Sequence, residues 1–335
     1  MRRILTIFCL LTAWPLAASQ PFALVNSQNA ALLASPATNA GLLSEALFGE
    51  PVLVLEEREG WTRVSLPLQR QYEEGKGWGQ YQGWMQSRRL TVPTGRKLAD
   101  YLGRQLVLYS ASALKQIPVF LLEKGKPVLC CTCEEGTILP EYGSTPVPGM
   151  RGVLLPDGTR GFVHEYNVRT IEATQPERDF IERFIGHAEK HTGTRYLWGG
   201  TSEAGLDCSG LVYLAARTAG LLLPRDSGPQ SLATDRKSFR EARRGDLVFF
   251  TSRGKTAPDH VAIFLGENRI LHAFQGQVQA GTLADPRLAG RQTHIGRLQA
   301  LEPASGTVMT NQGTTPTNRT NSGTADAGTP AARAG

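Results

Sequence analysis

Between residues 22 and 173, apolar residues come in short runs separated by glycine, proline and acidic residues. Runs at 52–55, 61–66 and 83–85 read as strands, and so do 119–122 and 128–130. Pro156-Asp157-Gly158 marks a hairpin turn. From Gln175 the period changes. Phe180, Ile181, Phe184, Ile185 and Ala188 recur at helical spacing behind Pro176. A second helix starts at Cys208, with Leu211, Leu214, Ala215 and Thr218 on one face, Asp207 as N-cap and Gly220 as its stop. Three strands follow, at 247–250, 260–265 and 270–273, the last two joined around Gly266-Glu267-Asn268. If Leu265 faces Arg269 across that loop, Ala262 faces His272. His260 and His272 are then diagonal neighbours on one face.

The first half repeats itself. GEPVLVLEE at Gly49 resembles GKPVLCCTCEE at Gly125, and GWMQSRRL at Gly83 resembles GFVHEYNV at Gly161. Two matches at nearly one offset predict tandem all-β modules, 22–91 and 92–173, ahead of a third domain over 175–302. Their size and short strands suggest small barrels.

Composition qualifies the ends. MRRILTIFCLLTAWPLAASQ has the charged start, apolar centre and small-residue exit of a signal peptide, so residues 1–19 are expected to be removed on export to the periplasm or beyond. The tail 303–335, rich in Thr, Gly, Asn and Ala, is expected to be disordered. The formal net charge is +6 with no dense Lys/Arg run, which argues against nucleic acid and fits an anionic envelope polymer. No later segment is apolar enough to span a membrane, and a monomer is expected.

Four cysteines follow the leader. Cys130, Cys131 and Cys133 crowd one strand. A disulfide or a zinc site is conceivable there, but structural or incidental thiols fit better, and no cofactor is expected. Cys208 is the thiol to explain. A buried core cysteine is one reading. The other is a nucleophile, placed where first-turn N–H groups would draw its pKa toward neutrality. With one imidazole of His260 and His272 accepting the thiol proton and the other fixing its ring, these residues make an acyl-transfer set. His187 and His191 could bind metal at i, i+4 but are expected to be solvated, and His164 and His294 are expected at the surface.

The motifs YLWGG, LDCSGLV, PRDS, RRGDLVFF, DHVAIFLG and ILHAF, in this order, resemble the NlpC-type cell-wall cysteine peptidases of papain-like fold, several of which carry bacterial SH3-like domains in front. The resemblance implies an α+β fold: a helix bearing the cysteine packed on an antiparallel sheet, behind two SH3-like barrels. It implies Cys208 as nucleophile, His260 as base, His272 as third residue and Tyr196 as an oxyanion donor. It implies peptidoglycan stem peptides or muropeptide fragments as substrate, cut between γ-D-glutamate and the diamino acid, with a free N-terminal L-alanine. Asp226 would bind that ammonium with Ser227 in support, Trp198, Asp207 and Ser209 would line the substrate, and Glu50 and Tyr81 of the first module would close the pocket. Competing readings are an N-acetylmuramoyl-L-alanine amidase of the same fold and a non-catalytic wall-binding protein.

Overall fold

The computed structural model describes residues 21–110, 116–171 and 178–299. The expected leader and tail lie outside them. Alternating burial builds the first module: in Pro51–Arg58 and Trp61–Glu73, residues such as Val52, Val64 and Leu66 turn inward while charged neighbours face solvent. Its sheet runs, in spatial order, Leu42–Leu47, Asn29–Leu33, Gly77–Gln86, Trp61–Glu73, Pro51–Arg58, Phe22–Val25 and Leu90–Thr91. Each fully buried Leu, Val or Met of this core contributes roughly 1.5–3 kcal/mol. A short helix, α1 (Leu98–Leu102), leads into the second module. That module has a four-stranded sheet (Lys126–Glu134, Gln116–Glu123, Arg160–His164, Met150–Leu154) and a three-stranded one (Ile138–Pro140, Gln105–Leu108, Val168–Thr170) around Leu106, Ile117, Val119, Leu139 and Val163.

The two modules share a topology, but one sequence match is out of register. Phe22–Val25 pairs with both Pro51–Arg58 and Leu90–Thr91, just as Gln105–Leu108 pairs with Ile138–Pro140 and Val168–Thr170. The counterpart of Gly49 is therefore Gly136, not Gly125. Both donate their N–H to the first strand, Gly49 to Val25 and Gly136 to Leu108, and both have positive φ (78° and 81°). Gly125 instead turns the Gln116–Glu123/Lys126–Glu134 hairpin. Similar apolar runs aligned because both begin at a left-handed glycine. The Gly83/Gly161 match does superpose, since each strand runs into a 3-10 turn and a short closing strand.

The third domain packs α2 (Arg178–Lys190) and α3 (Cys208–Ala219) on a six-stranded antiparallel sheet in the order Asp235–Lys237, Gln292–Arg297, Leu247–Thr251, His260–Gly266, Arg269–Phe274, Gln277–Thr282. Phe184, Ile185 and Ala188 meet Leu211 and Ala215, with Leu247, Phe249, Val261 and Ile263 beneath. The central hairpin turns on two residues, not three: Gly266 pairs with Arg269, and Glu267 and Asn268 both have positive φ (50° and 68°), as a type I′ turn requires. A bulge at Leu265 compensates. Beyond it Ile263 pairs with Leu271, the register expected for His260 and His272.

Two histidine expectations fail. His187 and His191 are buried, 6% and 3% exposed. The α2 face carrying them packs on the second module, where His187 meets the Tyr109 ring at 5.9 Å and Glu135 at 3.9 Å. Burial holds the His187 imidazole well down, to about 3. His294 is half-buried, stacked on Phe249 and bonded to Ser231 at 2.7 Å, while His164 stacks on Tyr166.

Candidate active site

Cys208 is the first residue of α3. Asp207 is extended there and accepts the Gly210 N–H at 2.6 Å, so the N-cap holds the cysteine in the first turn. The turn is tight. A Cβ on Gly210 would overlap the Gly200 carbonyl, and one on Gly200 would overlap that of Gly205, so DCSG and WGG interlock only through glycines. The other Asp207 oxygen accepts from Gly199 N at 2.8 Å, tying the Trp-Gly-Gly turn to the helix start.

Beneath this turn lies a residue the sequence reading passed over. Arg225 is fully buried and spans both Asp207 oxygens (3.1 and 2.7 Å), Ser209 Oγ (3.0 Å) and Ser44 Oγ of the first module (3.1 Å). It stands inside PRDS, but a lone arginine is exposed by default and nothing local marks it as buried. Gln230 of α4 (Ser227–Leu232) completes the support, donating to the carbonyls of Ser209 and Pro224 at 3.0 Å.

Cys208 is 8% exposed, and its thiol lies against the backbone N–H groups of Ser209 and Val261, the latter following His260 in the chain. Its pKa is not drawn toward neutrality as expected. Burial, and then the Asp207 carboxylate, push it up to about 12, outweighing both N–H groups and Arg225. His260 and His272 are buried, with His260 Nε2 3.0 Å from His272 Nδ1. Burial depresses both, to about 3 and about 4. Phe274 covers the pair, its centroid 4.9 Å from the His260 ring and 5.1 Å from that of His272. The resting groups are thus a neutral thiol and neutral imidazoles. Tyr196 packs on the same core. Burial and the neighbouring Cys208 raise its hydroxyl pKa, so it stays protonated and able to donate.

Above the thiol opens a cleft of about 460 Å³. The third domain lines it with Tyr196, Trp198, Asp207, Cys208, Ser209, Asp226, Ser227 and the 255–259 loop; the first module supplies Leu43 and Tyr81. Tyr81 Oη donates to Asp226 Oδ2 at 2.8 Å across the module boundary. Asp226 occupies the N-cap position of α4, yet its side chain makes no cap bond and is left to the cleft. Ser227 Oγ donates to the Pro258 carbonyl at 2.8 Å. Trp198 stands at the mouth, 72% exposed.

Glu50 does not belong here. It is fully buried, paired with Arg217 of α3 at 2.9 Å, accepting the Leu47 N–H and bonded to Gln69. Arg217 also donates to the Gly136 carbonyl of the second module, so this pair rivets all three modules one helix length from the thiol. A carboxylate at the end of a strand signals nothing about which guanidinium the fold will bring to it.

Residues 193–297 match the NlpC/P60 family, and residues 32–68 match the bacterial dipeptidyl-peptidase SH3 domain. The chain is similar to a γ-D-glutamyl-L-lysine dipeptidyl-peptidase of Bacillus cereus, 29% identical over 70% of this chain and 68% of the relative. A protein of the same name from Bacillus subtilis is also 29% identical, over 70% and 73%. Dipeptidyl-peptidase 6 of Lysinibacillus sphaericus is 28% identical over 76% and 88%. Among solved structures, an NlpC/P60 family protein from Bacillus cereus shares the fold with a TM-score of 0.67, covering 82% of this chain and 99% of that one at 23% identity. The chain is an NlpC/P60 cysteine peptidase of papain-like fold with a bacterial SH3-like domain on the amino-terminal side of its catalytic domain.

Proposed function

We propose that this peptidase hydrolyses the γ-D-glutamyl–diamino acid bond of peptidoglycan stem peptides, outside the cytoplasm, and requires a free N-terminal L-alanine. The relatives' names supply the bond class. The observation that carries the gate is Asp226, bonded to Tyr81 of another module in the cleft that holds Cys208.

The mechanism starts from the neutral pair. For His260 to act as base at Nδ1, its Nε2 carries the proton and donates across the 3.0 Å contact to His272 Nδ1, leaving the Nδ1 lone pair for the thiol proton. Because the thiol sits near 12, proton transfer accompanies attack on the γ-carbonyl and does not precede it. The oxyanion is met by the Cys208 N–H, unpaired within the helix, and by the Tyr196 hydroxyl. His260 then returns the proton to the leaving amine, and water hydrolyses the thioester.

At the far end, Asp226 carries charge that Arg225, 3.7 Å away, balances only in part, Arg225 being spanned by Asp207. An alanine ammonium completes the balance, whereas a sugar-linked alanine is a neutral amide and would leave it incomplete. Tyr81 walls off the side where the sugar would pass.

Digestion of free L-Ala-γ-D-Glu-diamino acid peptides and their sugar-linked counterparts, read by mass spectrometry, tests this. The free tripeptide should be cut, the sugar-linked stem spared, and Asp226→Asn should lower kcat/KM for the tripeptide by about a hundredfold or more. Equal rates on both substrates would refute the gate. Release of the stem from the sugar would replace this reading with an amidase.

A further inference from the structure

The 3.0 Å His260–His272 bond ties the protons of the two rings together. On the reading that His260 is the base at Nδ1, its proton is on Nε2, and His272 must accept at Nδ1. Neutral His272 then carries its own proton on Nε2. That N–H is buried, in a residue 1% exposed, and has no hydrogen-bond partner among the described residues. If the rings took the opposite tautomers, His260 Nδ1 would hold a proton and could not serve as base. Something should therefore favour a proton on His272 Nε2.

The surroundings of that nitrogen are specific. It faces strand Gln277–Thr282 at Gly281, where an added methyl would stand 3.2 Å away; any larger side chain would fill the notch. The strand then turns, Asp285 N donating to the Thr282 carbonyl at 3.1 Å, and brings the Asp285 carboxylate to bear on His272. Asp285 is held by Arg287, whose Nη2 lies 2.6 Å away and whose backbone N–H donates at 2.9 Å. The Arg287 guanidinium lies 5.5 Å over Phe274, the ring that covers both imidazoles. Carboxylate, arginine and aromatic cover thus form one assembly behind the histidine pair.

We propose that Asp285 is a positioning residue for the reaction: from the turn that follows the strand facing His272, its negative charge selects the Nε2–H tautomer of His272, and so keeps His260 Nδ1 free for the thiol proton. The inference rests on the assignment of His260 as base. When His260 takes that proton, the charge is shared through the His260–His272 bond toward Asp285. Arg287 on the same turn and Arg291 beside His260 oppose it, while Asp259 favours it. No bond to Asp285 is made or broken, and the proton it orders stays on His272.

The test is Asp285→Asn, which keeps the size of the side chain and a capping oxygen but removes the charge. With histidine labelled in 15N, the wild type should show His272 protonated at Nε2, and the variant should show a mixture of tautomers. On the tripeptide, kcat should fall about tenfold with KM unchanged. The acid limb of kcat/KM should move to lower pH, because removing an anion makes the imidazoles harder to protonate. Asp285→Glu should restore part of the rate. An unchanged His272 tautomer in Asp285→Asn overturns the proposal, as does a kcat within twofold of wild type. The tautomer is read without substrate, so it reports on Asp285 even if the tripeptide proves not to be cut.

Discussion

Replacing Arg225 with alanine strands a carboxylate beneath Cys208. Arg225 is wholly buried and Asp207 nearly so, and their two contacts of 3.1 and 2.7 Å are reinforced by Ser209 and Ser44. Breaking such a pair from one side costs about 3–5 kcal/mol, because the remaining charge keeps its desolvation penalty without its partner. Arg225→Lys retains the charge but cannot span both oxygens and two hydroxyls, so it should cost about 1–2 kcal/mol. The double variant Arg225→Ala/Asp207→Asn removes the stranded charge while leaving a capping oxygen for Gly210, and should recover part of the loss. Urea unfolding, read at the transition of the catalytic domain, gives these values, and the alkylation rate of Cys208 reports the geometry of the turn. A cost below about 1 kcal/mol for Arg225→Ala would put the pair in the range of exposed ion pairs and refute the reasoning.

Cys208→Ala and Cys208→Ser should both fold and both lose hydrolysis, since a hydroxyl is harder still to ionise than this thiol; substantial activity in purified Cys208→Ala would remove it as nucleophile. Glu50→Gln should destabilise the protein by about 3 kcal/mol by leaving Arg217 without its counter-charge, yet leave the preference for free over sugar-linked peptide unchanged, which a rate ratio on the two substrates checks. Acid should destabilise the fold early. The folded pKa values of His187, His260 and His272 (about 3, 3 and 4) lie below the ordinary 6.5, so the unfolded chain binds more protons in between, and stability is lost as pH falls from about 6.5 toward 3. Urea midpoints across that range test this, and His187→Gln should flatten the slope.

Much of the site was legible in the chain. Cys208 could be placed at a helix start because Asp207, the apolar spacing behind it and Gly220 are local signals, each acting within a turn or two of its position. The His260–His272 pairing followed from strand alternation, and it survived a wrong loop length only because the Leu265 bulge absorbs the missing residue. The strand runs of both modules were likewise local, readable from β-branched residues between turns. What the chain alone left undecided depends on burial and on partners far apart in sequence. Arg225 and Glu50 look like ordinary surface charges until the fold brings Asp207 to one and Arg217 to the other. The correspondence of Gly49 with Gly136 is a matter of which strands pair, a long-range choice that similar apolar runs do not encode. The raised thiol of Cys208 shows the same division. Helix position, a local property, predicts a lowered pKa, but the desolvation set by everything packed around it is larger and of opposite sign.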